Sequence, residues 1–123
     1  MSSENLHESV DVLAPEVIDR HRAITSIMEE IEAVDWYDQR VQATSDPSLA
    51  EVLAHNRDEE KEHAAMVIEW LRRNDDAFNR HLRTYLFTEG SITGIEEQAE
   101  QGGGDVTSPS GDGSLGLGSL LRA

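Results

Sequence analysis

The sequence contains no cysteine among its 123 residues. Disulfides, thiolate catalysis, zinc fingers and iron–sulfur clusters are therefore excluded, and an intracellular address is favoured over a secreted one. Aromatic residues make up only 5% of the chain, which limits the core that one copy can build. A small helical domain of this kind often completes its core by oligomerising.

Long apolar runs and basic charge are also scarce. No run of about 18 apolar residues is present to cross a bilayer, and no N-terminal stretch resembles a signal peptide, so we expect an intracellular protein with no membrane partner. There are 10 Lys and Arg against 25 Asp and Glu, a formal net charge of −15. This charge argues against nucleic-acid binding. An acidic surface of this kind concentrates cations near the protein. The alternative is that the charge serves only to keep the protein soluble.

The chain does contain two long stretches without glycine or proline. The first begins at Pro15, a favoured first helical residue, and predicts a helix to about Thr44. Asp46 and Pro47 then suit the N-cap and first residue of a second helix, which we expect to end near Arg73. The two stretches predict an antiparallel pair of helices.

Shorter segments flank this pair. We expect a short third helix over about 77–87 and another short helical piece over 92–101, where Gly94 is unfavourable. From Gly102 onward the composition changes to that of a flexible linker. The predicted divisions are a flexible N-terminal arm at 1–14, a helical domain at 15–101, a flexible linker at 102–112 and a small apolar segment at 113–123.

Glu30 lies in the middle of an apolar stripe on the first helix. On a helical wheel the apolar side chains within roughly 60° of it are those of Ala23, Ile27, Val34, Tyr37 and Val41. Burying a lone carboxylate is costly, so Glu30 needs a cation, a partner or a proton.

Glu60 occupies an equivalent place on the second helix. The apolar side chains within roughly 40° of it are those of Leu49, Leu53, Ala64, Val67 and Leu71. His63 follows at i+3, and a Glu-x-x-His pair can reach one metal ion. With the turn near Ser45, Glu30 and Glu60 both lie roughly 22 Å from it. An antiparallel hairpin therefore brings the two carboxylates level.

These residues amount to half of a metal site. Ferritin-like di-iron bundles use a Glu from each of two helices and a Glu-x-x-His from each of the other two, and this chain has one of each. We therefore predict an all-α fold: an antiparallel two-helix hairpin, half a ferritin-like four-helix bundle, with a short C-terminal helix, completed by dimerisation about a two-fold axis. The alternative for the two carboxylates is ordinary salt bridges with Arg22, Arg57 or Lys61.

Carboxylates and imidazoles suit iron or manganese better than zinc or copper. Tyr37 lies within roughly 20° of Glu30 on the wheel, where it either hydrogen-bonds a ligand or belongs to the core. Glu29 and Glu32 lie on another face, with Trp36 between them in angle. They form either an outer cation-attracting site or a solvated acidic face.

Five segments of the chain resemble the encapsulated ferritins, small two-helix relatives of ferritin housed in encapsulin shells. They are residues 20–24, 28–40 (MEEIEAVDWYDQR), 55–66 (HNRDEEKEHAAM), 69–74 and 82–90. The similarity covers most of residues 15–95, and motifs of this length are far more specific than a lone Glu-x-x-His.

The resemblance implies a ferroxidase, which oxidises Fe(II) to Fe(III) with O2 at a di-iron site shared between two subunits. The residues that match the family's iron ligands are Glu30, Glu60 and His63. Tyr37 matches a tyrosine that lies next to these ligands without being one of them. Glu29 and Glu32 match the family's metal-entry site, and together with Trp36 they lie on the route toward the iron ligands. Calcium, manganese or zinc are alternative occupants. The resemblance also implies a ring-shaped decamer of metal-bridged dimers, with the iron mineral stored in the surrounding shell.

Residues 113–123 look like an encapsulin cargo-loading peptide, and this implies a location in the lumen of an encapsulin nanocompartment within the cytoplasm. Leucines separated by small residues, on a flexible tether, can lie extended in an apolar groove, and several tails on one ring strengthen docking by multivalency. A disordered end with chance leucines is the alternative. For the whole protein, the alternatives are a metal-bridged scaffold without redox turnover and a purely structural helical cargo protein.

Overall fold

The computed structural model describes residues 6–101. This part of the chain is helical throughout and contains no strand, as predicted. Its elements are a 3-10 turn at Val10–Val12 and the helices α1 (Pro15–Ala43), α2 (Pro47–Arg73), α3 (Asp76–Tyr85) and α4 (Ile92–Gln101). None of these helices is both long and apolar enough to cross a bilayer. The predicted linker at 102–112 and cargo-loading peptide at 113–123 lie outside the described residues.

The two long helices pack against each other as a hairpin. The turn between them is held by hydrogen bonds that end one helix and begin the next. The hydroxyl of Thr44 accepts the backbone N–H of Asp46 at 3.2 Å, and the carboxylate of Asp46 accepts the N–H of Ser48 at 3.0 Å. Pro47 is the first residue of α2, so the predicted N-cap and helix start are confirmed.

The hairpin buries little of its own apolar surface. Within residues 6–101, Ala64 and Leu71 are the buried apolar residues, at 3% and 1% exposure. Exposed large apolar side chains on the two helices are Val17, Ile24, Met28, Ile31, Trp36, Leu49, Val52, Met66 and Trp70. Ile24, Met28 and Ile31 follow one another at i, i+4 and i+7 and so share one face of α1, and an exposed apolar face of this kind marks an interaction site in a soluble protein. One copy of the hairpin therefore has the surface expected of half a bundle.

The short helices belong to a second compact unit that begins at Asp75. The carboxylate of Asp75 accepts the backbone N–H of Phe78 at 3.0 Å, so α3 begins at Asp76, one residue before its predicted start. It ends at Tyr85, two residues early. The backbone leaves the helical region at Leu86, with φ −72° and ψ 142°, and Phe87 follows with a left-handed φ of 64°.

The last helix, α4, forms over the predicted residues despite Gly94. The hydroxyl of Ser91 accepts the backbone N–H of Gly94 at 3.0 Å. A serine cap of this type satisfies one of the free N–H groups at a helix start, and it offsets part of the cost of a glycine in the first turn.

Candidate metal centre

Glu30 of α1 meets Glu60 and His63 of α2 across the hairpin. One ligand atom from each of the three side chains lies within 4.8 Å of the other two. The Nδ1 atom of His63 is 3.6 Å from Oε1 of Glu60. The two carboxylates come level because they stand at equal distances from the turn, as the sequence predicts. Two carboxylates and one imidazole at this separation can be bridged by a metal ion.

The carboxylate of Glu30 is in an unfavourable place for a negative charge. Its Oε1 atom is buried and has no hydrogen-bond partner within residues 6–101. Burial raises the pKa of Glu30, and the charges of Glu60 and Glu29 raise it further, against a smaller lowering by His63. Binding a proton or a cation removes the free-energy cost of the buried negative charge on such a carboxylate. A metal ion between Glu30 and Glu60 would remove both the repulsion and the unsatisfied oxygen.

The three basic residues that the salt-bridge alternative requires form ion pairs elsewhere. Arg57 pairs with Asp38 and Asp58, Lys61 with Asp58, and Arg22 with Asp19, at N–O distances of 2.8–3.4 Å. Among the ion pairs of residues 6–101, the partner of Glu60 is the imidazole of His63, whose Nδ1 lies 3.6 Å from it. This arrangement disfavours the salt-bridge alternative, because the cations it needs are paired with other acids.

The remaining predicted site residues lie outside this three-residue cluster. Glu29 is exposed, Glu32 is half-buried, and the Trp36 side chain is 48% exposed. Tyr37 is half-buried and makes no hydrogen bond to the three ligands within the described part of the chain. Its ring lies 5.6 Å from the guanidinium of Arg40, which also approaches the ring of Trp36 at 6.0 Å. The roles of these four residues stay predictions.

One neighbour of the cluster was missed by sequence reasoning. Oε1 of Glu59 lies 3.9 Å from Nε2 of His63, and its other oxygen lies 3.9 Å from Nε2 of His55. The signal was present in the sequence, because 55, 59 and 63 are spaced by four and so share one face of a helix. Glu59 lies about 100° from Glu60 around the helix, and so outside the apolar stripe that marks the predicted ligands.

A protein-family model described as EncFtn-like matches residues 5–89 of the chain. The chain belongs to this encapsulated-ferritin-like family. It is 62% identical to the "Encapsulated ferritin-like protein" of Rhodospirillum rubrum, over 97% of this chain and 89% of the relative. It is 51% identical to the "Ferritin-like protein" of Thermotoga maritima, over 85% of this chain and 95% of the relative.

The fold agrees with this family membership. The crystal structure of a protein from Nitrosomonas europaea matches with a TM-score of 0.69 and 56% identity, covering 72% of this chain and 97% of that one. Membership of an encapsulated-ferritin-like family supports an iron-related, ferritin-like function. The cluster of Glu30, Glu60 and His63 is the place in the described residues that fits a metal ion.

Proposed function

We propose that this protein is a ferroxidase, which oxidises Fe(II) to Fe(III) with O2 at a di-iron site shared between two copies of the chain. The observation that carries the proposal is the convergence of Glu30, Glu60 and His63, with a buried Glu30 oxygen that lacks a hydrogen bond. Iron is the substrate here, and the same ions bridge the two copies.

The site's charge favours the oxidised product. Each copy supplies two carboxylates and one imidazole, so a two-fold pair supplies four carboxylates and two imidazoles. Because attraction grows with the charge of the ion, an anionic and partly desolvated ligand set stabilises Fe(III) more than Fe(II). Electrons leave the iron for O2, and Glu30, Glu60 and His63 of the two copies hold the ions in place.

The exposed apolar side chains of α1 and α2 support assembly into dimers, and further into the ring-shaped decamer that the family resemblance implies. The name of the Rhodospirillum rubrum relative describes an encapsulated protein. We propose that this chain likewise enters the lumen of an encapsulin shell through residues 113–123, where the oxidised iron is stored as mineral. The alternatives are a metal-bridged scaffold without turnover and a structural cargo protein, and iron oxidation and molecular mass together distinguish them from a ferroxidase.

The first test is Fe(II) oxidation by the metal-free full-length protein. Fe(II) is added without oxygen, air is admitted, and ferric absorbance is recorded against a protein-free control. We expect the wild type to exceed that control clearly, and Glu30→Ala, Glu60→Ala and His63→Ala to fall to it. Glu51→Ala is the matched control, because Glu51 is exposed and lies roughly 180° from Glu60 on α2. Normal turnover in all three ligand variants sinks the proposal.

The second test is the molecular mass in the same samples before air is admitted. A shared site predicts that Fe(II) raises the mass of the wild type and of Glu51→Ala, and leaves that of His63→Ala unchanged. A rise in mass without oxidation supports the scaffold instead. If neither mass nor oxidation responds to iron, Glu30, Glu60 and His63 are core residues of a structural protein.

A further inference from the structure

His63 lies between two carboxylates that approach opposite sides of its ring. Its Nδ1 is 3.6 Å from Oε1 of Glu60, and its Nε2 is 3.9 Å from Oε1 of Glu59. A neutral imidazole carries one proton, so one nitrogen donates and the other offers a lone pair. The two carboxylates therefore compete for the same ring proton.

The outcome of this competition decides whether His63 can bind metal. Glu60 lies on the Nδ1 side of the ring, and Glu30 belongs to the same cluster of possible ligand atoms, so an ion that His63 shares with Glu60 needs the lone pair on Nδ1. If the proton moves to Nδ1 and is donated to Glu60, that lone pair is lost and Glu60 is occupied as well. If the proton stays on Nε2, both ligands face the ion ready to bind.

Within residues 6–101, Glu59 forms no ion pair with a lysine or arginine, unlike two other acidic residues of α2. Asp58 pairs with Arg57 and Lys61, and Glu69 pairs with Arg72 and Arg73. The ion pairs of Glu59 within the described residues are with two histidines, His63 on one oxygen and His55 on the other. Its carboxylate is thus available as an acceptor for imidazole N–H groups.

We propose that Glu59 is a positioning residue for the metal centre: it accepts the Nε2–H of His63 and so directs the Nδ1 lone pair toward the ion. This inference rests on the proposed function only in taking His63 as a ligand. Metal-bound histidines commonly donate their other N–H to a carboxylate in this way. His55, on the second oxygen, restrains Glu59 on the same face of α2.

The distance between Nε2 of His63 and Oε1 of Glu59 must shorten before a hydrogen bond can form. A hydrogen bond between N–H and carboxylate oxygen is about 2.9 Å long, so Nε2 and Oε1 need to approach by about 1 Å. The side chains of His63 and Glu59 are 42% and 49% exposed, and rotation of exposed side chains provides this movement without displacing the backbone.

The direct test measures the tautomer of His63 in metal-free, full-length protein. Histidine rings are labelled with 15N, and solid-state NMR is recorded at about pH 8.5, well above the ordinary histidine pKa of about 6.5. The His63 signals are identified as those lost in His63→Gln. We expect Nε2–H in the wild type and a shift of the proton toward Nδ1 in Glu59→Ala. An unchanged tautomer in Glu59→Ala overturns the proposal.

Anaerobic titration with Co(II), a redox-stable stand-in for Fe(II), measures the consequence for binding. Loss of an outer carboxylate typically costs roughly 10- to 100-fold in metal affinity, and we expect a loss of that order in Glu59→Ala. Glu59→Gln keeps an oxygen that can accept the Nε2–H, so its affinity should recover most of the loss. A Gln variant as weak as the Ala variant, with fewer ions bound per chain, would show instead that Glu59 binds metal directly.

Glu62→Ala is the matched control, since Glu62 is the exposed residue next to His63 in sequence but forms no ion pair with it within the described part of the chain. It should keep the wild-type tautomer and Co(II) affinity. These two readouts need no oxidation. If Glu59 controls the tautomer and affinity while no variant oxidises iron, the positioning role stands and the ferroxidase proposal fails.

Discussion

At the scale of single residues, the centre combines a desolvated carboxylate, a second carboxylate facing it and one imidazole. Glu30 has a raised pKa, first through burial and then through repulsion by Glu60. The cations that could relieve this repulsion are paired with other acids. The metal-free fold is therefore destabilised at the point where an ion would bind, and metal binding and stability should be linked.

Glu30→Gln tests this linkage in the absence of metal. The amide removes the buried charge and its N–H groups can donate to Glu60, so we expect the metal-free variant to be more stable than wild type by about 1 kcal/mol. Because the pKa of Glu30 is raised in the fold, the advantage should be small below pH 4.5 and grow as the pH rises through the folded-state pKa. Urea unfolding followed by circular dichroism, with a chelator present, measures it.

A control variant and the addition of metal complete this stability measurement. Glu51→Gln changes an exposed carboxylate and should stay within about 0.5 kcal/mol of wild type. Adding Co(II) should stabilise wild type far more than Glu30→Gln. A Gln variant that is less stable than wild type without metal would contradict the view of Glu30 as a strained ligand.

The sequence predicts the three ligands because each carries a simple signal. A glutamate in an apolar stripe is conspicuous, and equal distances from one turn place Glu30 and Glu60 at the same height. Spacing by four places Glu59 on the same helical face as His63, but it does not reveal the role proposed for Glu59. That role depends on which ring nitrogen of His63 faces which carboxylate, and ring orientation is set by packing and hydrogen bonds in three dimensions.

At the scale of elements, the long helices follow closely from proline and capping signals. α1 and α2 begin at Pro15 and Pro47, as predicted, and α2 ends at Arg73. The end of α3 is different, because there the backbone becomes extended at Leu86 and left-handed at Phe87. A bulky residue with positive φ is uncommon, and no sequence rule places one there. The predictable boundaries are those with a residue-specific cap.

The cap at the start of α2 should contribute measurably to hairpin stability. Asp46 accepts the backbone N–H and the hydroxyl of Ser48, at 3.0 and 3.2 Å. Replacing an N-cap aspartate by alanine typically costs about 1 kcal/mol. We expect this loss in urea unfolding of Asp46→Ala. Ser45→Ala is the control, as the exposed residue before the cap, and equal stability of the two variants would argue against the cap.

The far end of α2 carries an acid-sensitive ion-pair cluster. Glu69 accepts Nε and Nη2 of Arg72 at 2.7 and 2.8 Å and Nε of Arg73 at 2.7 Å. Hydrogen bonds from Arg72 and, to a smaller extent, from Arg73 lower the pKa of Glu69 to about 2, against an opposing effect of burial. A lowered folded-state pKa means that the cluster stabilises the fold above pH 4.5 and loses this effect as the pH falls toward 2.

Glu69→Gln isolates this contribution. The Glu69 side chain is 42% exposed, so solvent screening limits the effect to roughly 0.5–1 kcal/mol near neutral pH. We expect wild type to exceed the variant by that amount at pH 7, and the difference to vanish as the pH approaches 2. Thermal unfolding of both proteins from pH 7 to pH 2 gives the difference directly. A constant difference across this range would rule out the titration of Glu69 as its source.

At the scale of the whole molecule, the proposed oxidation and the proposed packaging belong to different parts of the chain. The described residues contain the candidate metal cluster, and the family match over 5–89 ends before residue 102. Residues 6–101 bury few of their own apolar side chains, and they contain one Glu helix and one Glu-x-x-His helix, which is half of the ligand set of a di-iron bundle. Both observations support the same proposal, that a second copy completes the core and the site together. Loss of metal should therefore weaken assembly as well as oxidation.

Deleting residues 102–123 should separate oxidation from packaging. The truncated chain keeps every predicted ligand, so we expect Fe(II) oxidation at the wild-type rate. It loses the leucine-rich segment, so it should no longer co-purify with a co-expressed encapsulin shell. Because several weak tails on one assembly bind together, the loss should be close to complete rather than proportional to the affinity of one tail.

A full-length variant shows whether the leucines or the length of the tail matter. Replacing Leu115, Leu117, Leu120 and Leu121 by serine keeps the tether and removes the side chains that would fill an apolar groove. This variant should be excluded from the shell as fully as the truncated chain, while oxidation stays normal. If both variants are still packaged, the hairpin itself must bind the shell, and residues 113–123 have no targeting role. If only the serine variant is packaged, the contact comes from some other feature of the tail than its leucines.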